Sequence, residues 1–525
     1  MSSQAPNILL IQADQMAAPT LPFHGHPVVQ APHMSALAAE GVVFDSAYCN
    51  SPLCAPSRFS MLSGLLASEI EAYDNAAEFP STIPTFAHHL RKLGYRTLLS
   101  GKMHFVGSDQ LHGFERRVTT DIYPADFGWT ADWERPDARL DFYHTMSSVV
   151  EAGPCERSLQ LDFDEEVAHQ GVRAIYDLAR EGAGGGAGGA ARPFFLHVSF
   201  THPHDPYTIT RDYWDRYEDA QIELPRVPAL SRAAHDPHSR RLFDSLGLAV
   251  YDLNETRVRA ARRAYYGAIS FVDDQVGRLL AALKSSGLAR DTVVILTGDH
   301  GDMLGERGLW YKMSFYEWAA RVPLVVHAPG RFAARRVGRN VSLLDLYPTL
   351  IELAGGRLEE VPAALPGQSL VPLMAGEEAG WPDTVYGEYM GEAAAGPLVM
   401  IRRGAHKYIV GEDSPAQLFD VAADPEERND LIDERAQADL AADLAREAAA
   451  RWDFEDLKRR VILNQRRRRF VFEAQRQGET PSWDFQPFFD ASRQYARNRA
   501  DILGELERSA RLPFVVSPPP DGPGS

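Results

Sequence analysis

Asn7–Ile8–Leu9–Leu10–Ile11–Gln12–Ala13–Asp14–Gln15 is an apolar run the length of one strand, closed by two polar residues. A short run without polar alternation is the pattern of a strand buried on both faces, as in a parallel sheet. The pattern recurs along the chain. Tyr95–Arg96–Thr97–Leu98–Leu99–Ser100 leads into Gly101–Lys102–Met103–His104, and Pro193–Phe194–Phe195–Leu196–His197–Val198–Ser199–Phe200 leads into Thr201–His202–Pro203–His204–Asp205–Pro206. Thr292–Val293–Val294–Ile295–Leu296–Thr297–Gly298 leads into Asp299–His300–Gly301–Asp302, and Pro323–Leu324–Val325–Val326–His327 reads as a further strand. Strands that alternate with helical patterns predict an α/β fold, a mostly parallel sheet sandwiched by helices. In such folds the carboxyl ends of the strands carry the ligand-binding residues. Here those ends bear Asp14, Gln15, Lys102, His104, His202, Asp299 and His300, with Lys312 shortly after.

The character changes near residue 375. Val385–Tyr386–Gly387–Glu388–Tyr389, Leu398–Val399–Met400–Ile401–Arg402 and His406–Lys407–Tyr408–Ile409–Val410 are short strands separated by turns, the pattern of a small antiparallel sheet. Residues 430–452 are Ala-rich and read as a helix. The chain therefore divides into a principal domain over residues 1–375, an α+β subdomain over 376–465 and a tail over 466–525. The tail's aromatic residues suit a subunit contact, so a homo-oligomer, dimer or tetramer, is expected, and the terminal stretch from Ser517 to Ser525 is expected to be disordered. Arg466–Arg467–Arg468–Arg469 reads as a solvated face or subunit contact. The Gly-rich stretch from Glu181 to Ala190 reads as a surface linker.

A formal net charge of −18 argues against nucleic acid as a partner. It leaves room for an anionic substrate where a metal and a few Lys or Arg residues make a local positive pocket. No apolar run reaches the length of a membrane span. Three cysteines (Cys49, Cys54 and Cys155) form no zinc spacing and suit a reducing compartment. The opening residues have no basic region, and their apolar run is too short for a secretory signal, so a cytoplasmic location is expected.

Asn50–Ser51–Pro52–Leu53–Cys54–Ala55–Pro56–Ser57–Arg58–Phe59–Ser60–Met61–Leu62–Ser63–Gly64 carries the chemistry. A lone cysteine opening a helix is ordinarily a packed thiol. Here it begins the pattern C-x-P-S-R-x-x-x-L-x-G, with Arg58 one helical turn away. Asp14, Gln15, Asp299 and His300 would surround it with donors suited to Ca²⁺, Mg²⁺ or Mn²⁺. The aromatic stretch over residues 114–150 would supply core and, around a carboxylate, a pocket for a quaternary ammonium.

This segment resembles the signature of the type I, formylglycine-dependent sulfatases of the alkaline phosphatase superfamily. Gly101–Lys102–Met103–His104, Thr201–His202–Pro203–His204, Gly298–Asp299–His300–Gly301–Asp302 and Asp345–Leu346–Tyr347–Pro348–Thr349–Leu350 resemble further segments of that family, in the same order. The resemblance implies an alkaline phosphatase-like fold and a Cys54 that a formylglycine-generating enzyme oxidises to an aldehyde, whose hydrate is the nucleophile. It implies one divalent metal, Ca²⁺ foremost, held by Asp14, Gln15, residue 54, Asp299 and His300. Lys102 would grip sulfate and Arg58 would hold the nucleophile. His202, with Lys312 near, would be the general acid, and His104 would take a proton in the second half-reaction.

The family's usual metal pairs are Asp-Asp and Asp-Asn. Asp14–Gln15 and Asp299–His300 depart from them in the manner of the choline sulfatases and the phosphonate monoester hydrolases. Tyr73–Asp74–Asn75–Ala76–Ala77–Glu78, the segment from Thr119 to Trp129 and the segment from Met303 to Trp310 resemble the choline sulfatase subgroup. That resemblance implies choline-O-sulfate as substrate and a choline pocket of Asn75, Trp129, His144 and Glu388. Trp129 would offer its ring face and Glu388 the counter-charge, and Asp501 of a neighbour's tail would close the pocket. A phosphonate monoester or phosphodiester hydrolase on the same framework is the alternative.

Overall fold

The strand β1 (Asn7–Asp14) lies at the centre of the main sheet, and Ile8, Leu9, Leu10 and Ile11 have no exposed surface. This is the burial its apolar run calls for. Around it are β2 (Val42–Tyr48), β3 (Arg96–Gly101), β4 (Arg116–Arg117), β5 (Gly153–Cys155), β6 (Phe194–Pro203), β7 (Thr208–Thr210), β8 (Thr292–Gly298), β9 (Arg321–Val322), β10 (Leu324–His327) and β11 (Arg335–Ser342). The main sheet runs β11-β2-β10-β8-β1-β6-β3-β4, with β9 beside β2; β5 and β7 form a separate ribbon. β8, β1, β6, β3 and β4 are mutually parallel. β10 runs against both β8 and β2. The structure, a computed structural model, describes residues 5–123, 125–140, 142–183, 192–361, 363–480, 482–490 and 507. Most of the Gly-rich linker, Asp501 and the terminal residues 517–525 lie outside the described residues.

Helices cover both faces of the sheet. Phe195 and Val198 are three positions apart on β6 and so point to opposite faces. Phe195 meets the ring of Phe86, on the helix Phe86–Lys92, at 5.4 Å. Val198 meets Gly171 and Leu279, which lie on the long helices Leu159–Ala183 and Glu255–Ser285. The sheet is therefore the middle layer of a three-layer α/β domain.

Beyond it, β12 (Thr384–Tyr389), β13 (Leu398–Arg403), β14 (His406–Gly411) and β15 (Ser414–Asp420) form a four-stranded antiparallel sheet. Two helices follow, Ala438–Arg451 and Phe454–Gln475, and the second runs across residue 465. Three of the four consecutive arginines on it pair within the chain: Arg466 with Glu134, Arg468 with Asp74, and Arg469 with Asp132 and Glu134. No helix among the described residues is long and apolar enough to cross a membrane.

Candidate active site

The helix Cys54–Ser63 is buried along its whole length and starts where the chain leaves β2. Its first turn has no side-chain cap of its own, and Asn75 Oδ1 instead accepts from the Ala55 amide at 3.0 Å. Cys54 thus sits at a fixed helix start, its Sγ 3.2 Å from His300 Nε2 and 3.9 Å from Asp14 Oδ1. One ligand atom from each of Asp14, Cys54, Asp299 and His300 lies within 4.8 Å of the others, all buried.

Arg58 organises this cluster from behind. It donates to Asp299 Oδ2 at 2.8 Å, Asp14 Oδ2 at 3.1 Å, Ser199 Oγ at 2.8 Å and the Lys102 carbonyl at 2.7 Å. Its donors therefore go to the two carboxylates rather than to residue 54, the partner expected from the sequence. Lys102 forms an ion pair with Asp14 and lies 4.5 Å over the Tyr123 ring. Burial and Cys54 push the Asp14 carboxyl up, but Lys102 and Arg58 outweigh them and hold it at about 2. Burial opposes the Cys54 thiolate, yet Lys102, Lys312 and His300 hold the thiol well below its ordinary range.

Glycine makes the approach of Lys102 sterically open. Gly101 has a φ of +108°, and a Cβ there would lie 1.9 Å from the Ser199 carbonyl oxygen. The chain then turns at His104, at a φ of +63°, whose amide donates to Asp121 Oδ2 at 2.9 Å. Left-handed backbone recurs at Gln15, Tyr311 and Met313, beside the same group of side chains. The ring nitrogens of His104 have no hydrogen-bond partner other than Cys54 among the described residues.

Lys312 lies beside His204, not His202. Its Nζ is 3.0 Å from His204 Nε2 and 2.6 Å from Gln15 Oε1. The cause is the end of β6 at Pro203. In a continued strand His202 and His204 would share a face. Because the strand stops between them, His202 turns to Asp164, with Nδ1 2.6 Å from Oδ2, and packs edge-on to Phe271. The expected pairing of His202 with Lys312 is therefore corrected to His204. His204 Nδ1 is 2.6 Å from the Asp205 carbonyl, which can only accept, so this nitrogen carries hydrogen and Nε2 is the acceptor facing Lys312. Gln15 sits at the cluster's edge, its Nε2 donating to Asp302 Oδ2 at 2.6 Å.

Glu388, the expected counter-charge, is engaged by the fold. Glu388 accepts from the Ser68 amide, the Ser68 hydroxyl and the Trp452 indole at 2.8, 2.7 and 2.7 Å. That carboxylate ties Ser68 to Trp452, and three of its about four acceptor sites are taken. Glu392, four residues on, accepts no hydrogen bond on its carboxylate among the described residues and is 5% exposed. Burial pushes its carboxyl up to about 7, against the pull of His144 and Lys312, with Asp74 and Cys54 pushing the same way as burial. It lies close enough to Cys54 to feel its charge. Trp129 lies edge-on to His104 at 6.1 Å and stacked on Phe142 at 6.2 Å. His144 stacks on Tyr311 at 4.6 Å and pairs with Asp205 at 3.5 Å. The sequence reading assigned no role to Tyr123, Asp205 or Glu392. The first two lie in stretches it had singled out, whereas nothing in the Glu388–Glu392 spacing says which carboxylate is free.

The donor set fits a divalent cation: two buried carboxylates, one held ionised, with an imidazole nitrogen converging on them. Residues 6–356 match the family described as "Sulfatase", and residues 459–512 match that described as "Choline sulfatase enzyme C terminal". The chain is 46% identical over 517 residues to a choline-sulfatase of Rhizobium meliloti, covering 98% of this chain and 99% of that protein. It is 30% identical to arylsulfatase K of Bos taurus, over 81% of this chain and 78% of that one. Among solved structures it resembles a phosphonate monoester hydrolase of Agrobacterium radiobacter, with a TM-score of 0.66 and 25% identity, over 85% of this chain and 95% of that one.

Proposed function

From a chain that belongs to the sulfatase family, a sulfuric ester hydrolase, we propose hydrolysis of choline-O-sulfate to choline and sulfate, with residue 54 as the nucleophile. One observation carries the reading. An unpaired buried carboxylate, Glu392, lies within electrostatic reach of Lys312, His144 and Cys54, and the Trp129 ring lies beside His104, which with Lys102 and Lys312 acts on residue 54. That is one end for a trimethylammonium and one for a sulfate. The near full-length likeness to a choline-sulfatase supports it.

When present, a divalent cation, Ca²⁺ first, held by Asp14, Asp299 and His300 with Gln15 beside them, withdraws charge from sulfate oxygens, and an aldehyde hydrate derived from Cys54 supplies the attacking oxygen. The chain's own residues do the rest. Lys102 and Lys312 hold sulfate oxygens, and Arg58 keeps Asp14 and Asp299 in place. Choline leaves as a poor alkoxide, so its oxygen needs a proton. Lys312 Nζ and His204 Nε2 share that proton across 3.0 Å. His104, close enough to act on residue 54 and with no other ring-nitrogen partner among the described residues, accepts a proton there in the second half-reaction.

The three cysteines are unpaired, which supports a cytoplasmic site of action. Leu463, Phe470, Val471, Phe488 and Phe489 expose apolar side chains on the C-terminal helix and tail, which supports a homo-oligomer, a dimer or tetramer, in which Asp501 of a neighbour closes the pocket. A formylglycine-generating enzyme is the required maturation partner. The likeness to a phosphonate monoester hydrolase favours the second reading, a phosphonate monoester or phosphodiester hydrolase. The test is kcat/KM for choline-O-sulfate, a phosphonate monoester and an aryl sulfate, on protein whose Cys54 is shown by mass spectrometry to be oxidised. A large preference for choline-O-sulfate is expected, and a preference for either other ester refutes the assignment.

A further inference from the structure

The helix Phe454–Gln475 is tied to the body of the chain at three points. Gln465, fully buried, accepts from the Trp133 amide on Oε1 at 2.9 Å, and the Trp133 indole in turn donates to the Gly391 carbonyl at 3.1 Å. Arg468 grips Asp74 with two hydrogen bonds, at 2.5 and 2.8 Å, in a pair that is almost wholly buried. Phe472 lies so close to Gly128 that a Cβ there would sit 2.8 Å from its ring.

The three contacts share a pattern. Positions 465, 468 and 472 are spaced by three and four, so they lie on one face of the helix. Arg468 and Phe472 directly, and Gln465 through Trp133, reach a residue adjacent in sequence to a group assigned to the ammonium end: Gly391 precedes Glu392, Asp74 precedes Asn75, and Gly128 precedes Trp129. The three targets are far apart in the chain, and this one helix face gives them a common reference. The Arg468 fork also neutralises Asp74, a charge close enough to Glu392 to raise its carboxyl. We infer that Gln465, Arg468 and Phe472 are positioning residues that set selectivity for a quaternary ammonium ester, by holding Glu392, Asn75 and Trp129 in mutual register. They touch neither the sulfate end nor residue 54. The inference rests on the choline ester reading above.

The test is steady-state kinetics of Arg468→Met and Phe472→Ala, each with Cys54 oxidised to the same extent as in the parent. The substrates are choline-O-sulfate and 4-nitrophenyl sulfate, which has no cation. Loss of register at the ammonium end raises KM for choline-O-sulfate about tenfold or more and leaves kcat within about threefold, whereas both parameters for 4-nitrophenyl sulfate stay within about threefold. Inhibition by free choline weakens in parallel. Equal losses on both substrates, or no change on either, overturn the inference. Phe472 is only half-buried, so its variant keeps the test open if Arg468→Met does not fold. A parent enzyme with no preference for choline-O-sulfate refutes the substrate assignment instead. A parent with that preference and variants that retain it refute only the role of the helix.

Discussion

Replacing Glu392 with Gln keeps the shape of the side chain and removes its charge. The carboxyl is buried and titrates at about 7. An ammonium centred about 4 to 5 Å from a carboxylate in a medium of effective dielectric about 20 gains roughly 3 to 4 kcal/mol. Allowing for partial solvation, a loss of about 2 to 3 kcal/mol, or about 30- to 150-fold in KM for choline-O-sulfate, is expected at pH 8. The trimethylammonium does not titrate, so pH acts through the protein. Below pH 7 the parent carboxyl takes up a proton, and KM should climb up to tenfold for each unit of acidification, whereas KM of Glu392→Gln should stay flat. Stability should change in the opposite direction. A carboxyl raised from 4.5 to about 7 by burial destabilises the folded chain above pH 7, by about 3 kcal/mol at about 1.4 kcal/mol per pKa unit. That penalty fades as pH falls through 7 and is gone below 4.5. The variant should therefore be more resistant to urea than the parent at pH 8 and equal to it near pH 4.5, a local trade of stability for binding. The assay is KM against pH for both proteins, with urea unfolding at both ends of the range. A parent KM that ignores pH, or a variant that unfolds more easily at pH 8, refutes the reasoning.

Arg58→Met strips the counter-charge from two buried carboxylates and should cost about 3 to 5 kcal/mol in urea unfolding under a chelator, with partial recovery when Ca²⁺ is restored; unchanged stability counts against the role of Arg58 as organiser. His204→Gln should lower kcat on choline-O-sulfate by about 10²- to 10⁴-fold, and much less on 4-nitrophenyl sulfate, whose phenolate leaves without a proton. His202→Gln should act chiefly on thermal stability, through the lost Asp164 contact, and the reverse ranking of the two histidines would return His202 to the reaction. Divalent cation at about a hundred times its Kd should stabilise the chain by about 2.7 kcal/mol, and Asp14→Asn should abolish that gain as followed by Tm and by metal content.

The sheet was legible because apolar runs without alternation mean burial on both faces, and β1, β6 and β8 are buried along nearly their whole length. The direction of β10 was not, since three apolar residues and a histidine carry no sense of orientation, and only pairing shows that the strand is antiparallel to both neighbours. The convergence of Asp14, Asp299 and His300, a group that could hold a metal, was readable because these residues close their strands. Lys102 and His104 reach the site through a glycine at φ +108° and a left-handed histidine rather than by strand alternation. The exchange of His202 for His204 hinges on where β6 ends, and boundaries are the weakest element of a sequence reading. Glu388 and Glu392 differ only in partners supplied by Ser68 and Trp452, both distant in the chain. The arginine run failed to reveal its role for the same reason, as Asp74, Asp132 and Glu134 lie more than three hundred residues away.

Ionic strength separates the two kinds of substrate on charge alone. The chain carries a formal net charge of −18, so its long-range field repels anions and attracts cations. Choline-O-sulfate bears one negative and one positive charge and is neutral overall, so beyond a few ångströms the field does little to it. Orientation arises only within the site, where Lys102 and Lys312 would meet the sulfate and Glu392 the ammonium. An aryl sulfate is a net anion and meets the full repulsion on approach. Raising salt shortens the Debye length from about 30 Å at 0.01 M to about 10 Å at 0.1 M, which should raise kcat/KM for 4-nitrophenyl sulfate and leave that for choline-O-sulfate nearly unchanged. Selectivity for the zwitterion should thus be greatest at low ionic strength and shrink as salt is added. A kcat/KM for choline-O-sulfate that falls steeply with salt would mean that the enzyme draws its substrate in by the ammonium alone, and the two-ended site would then not be what orients it.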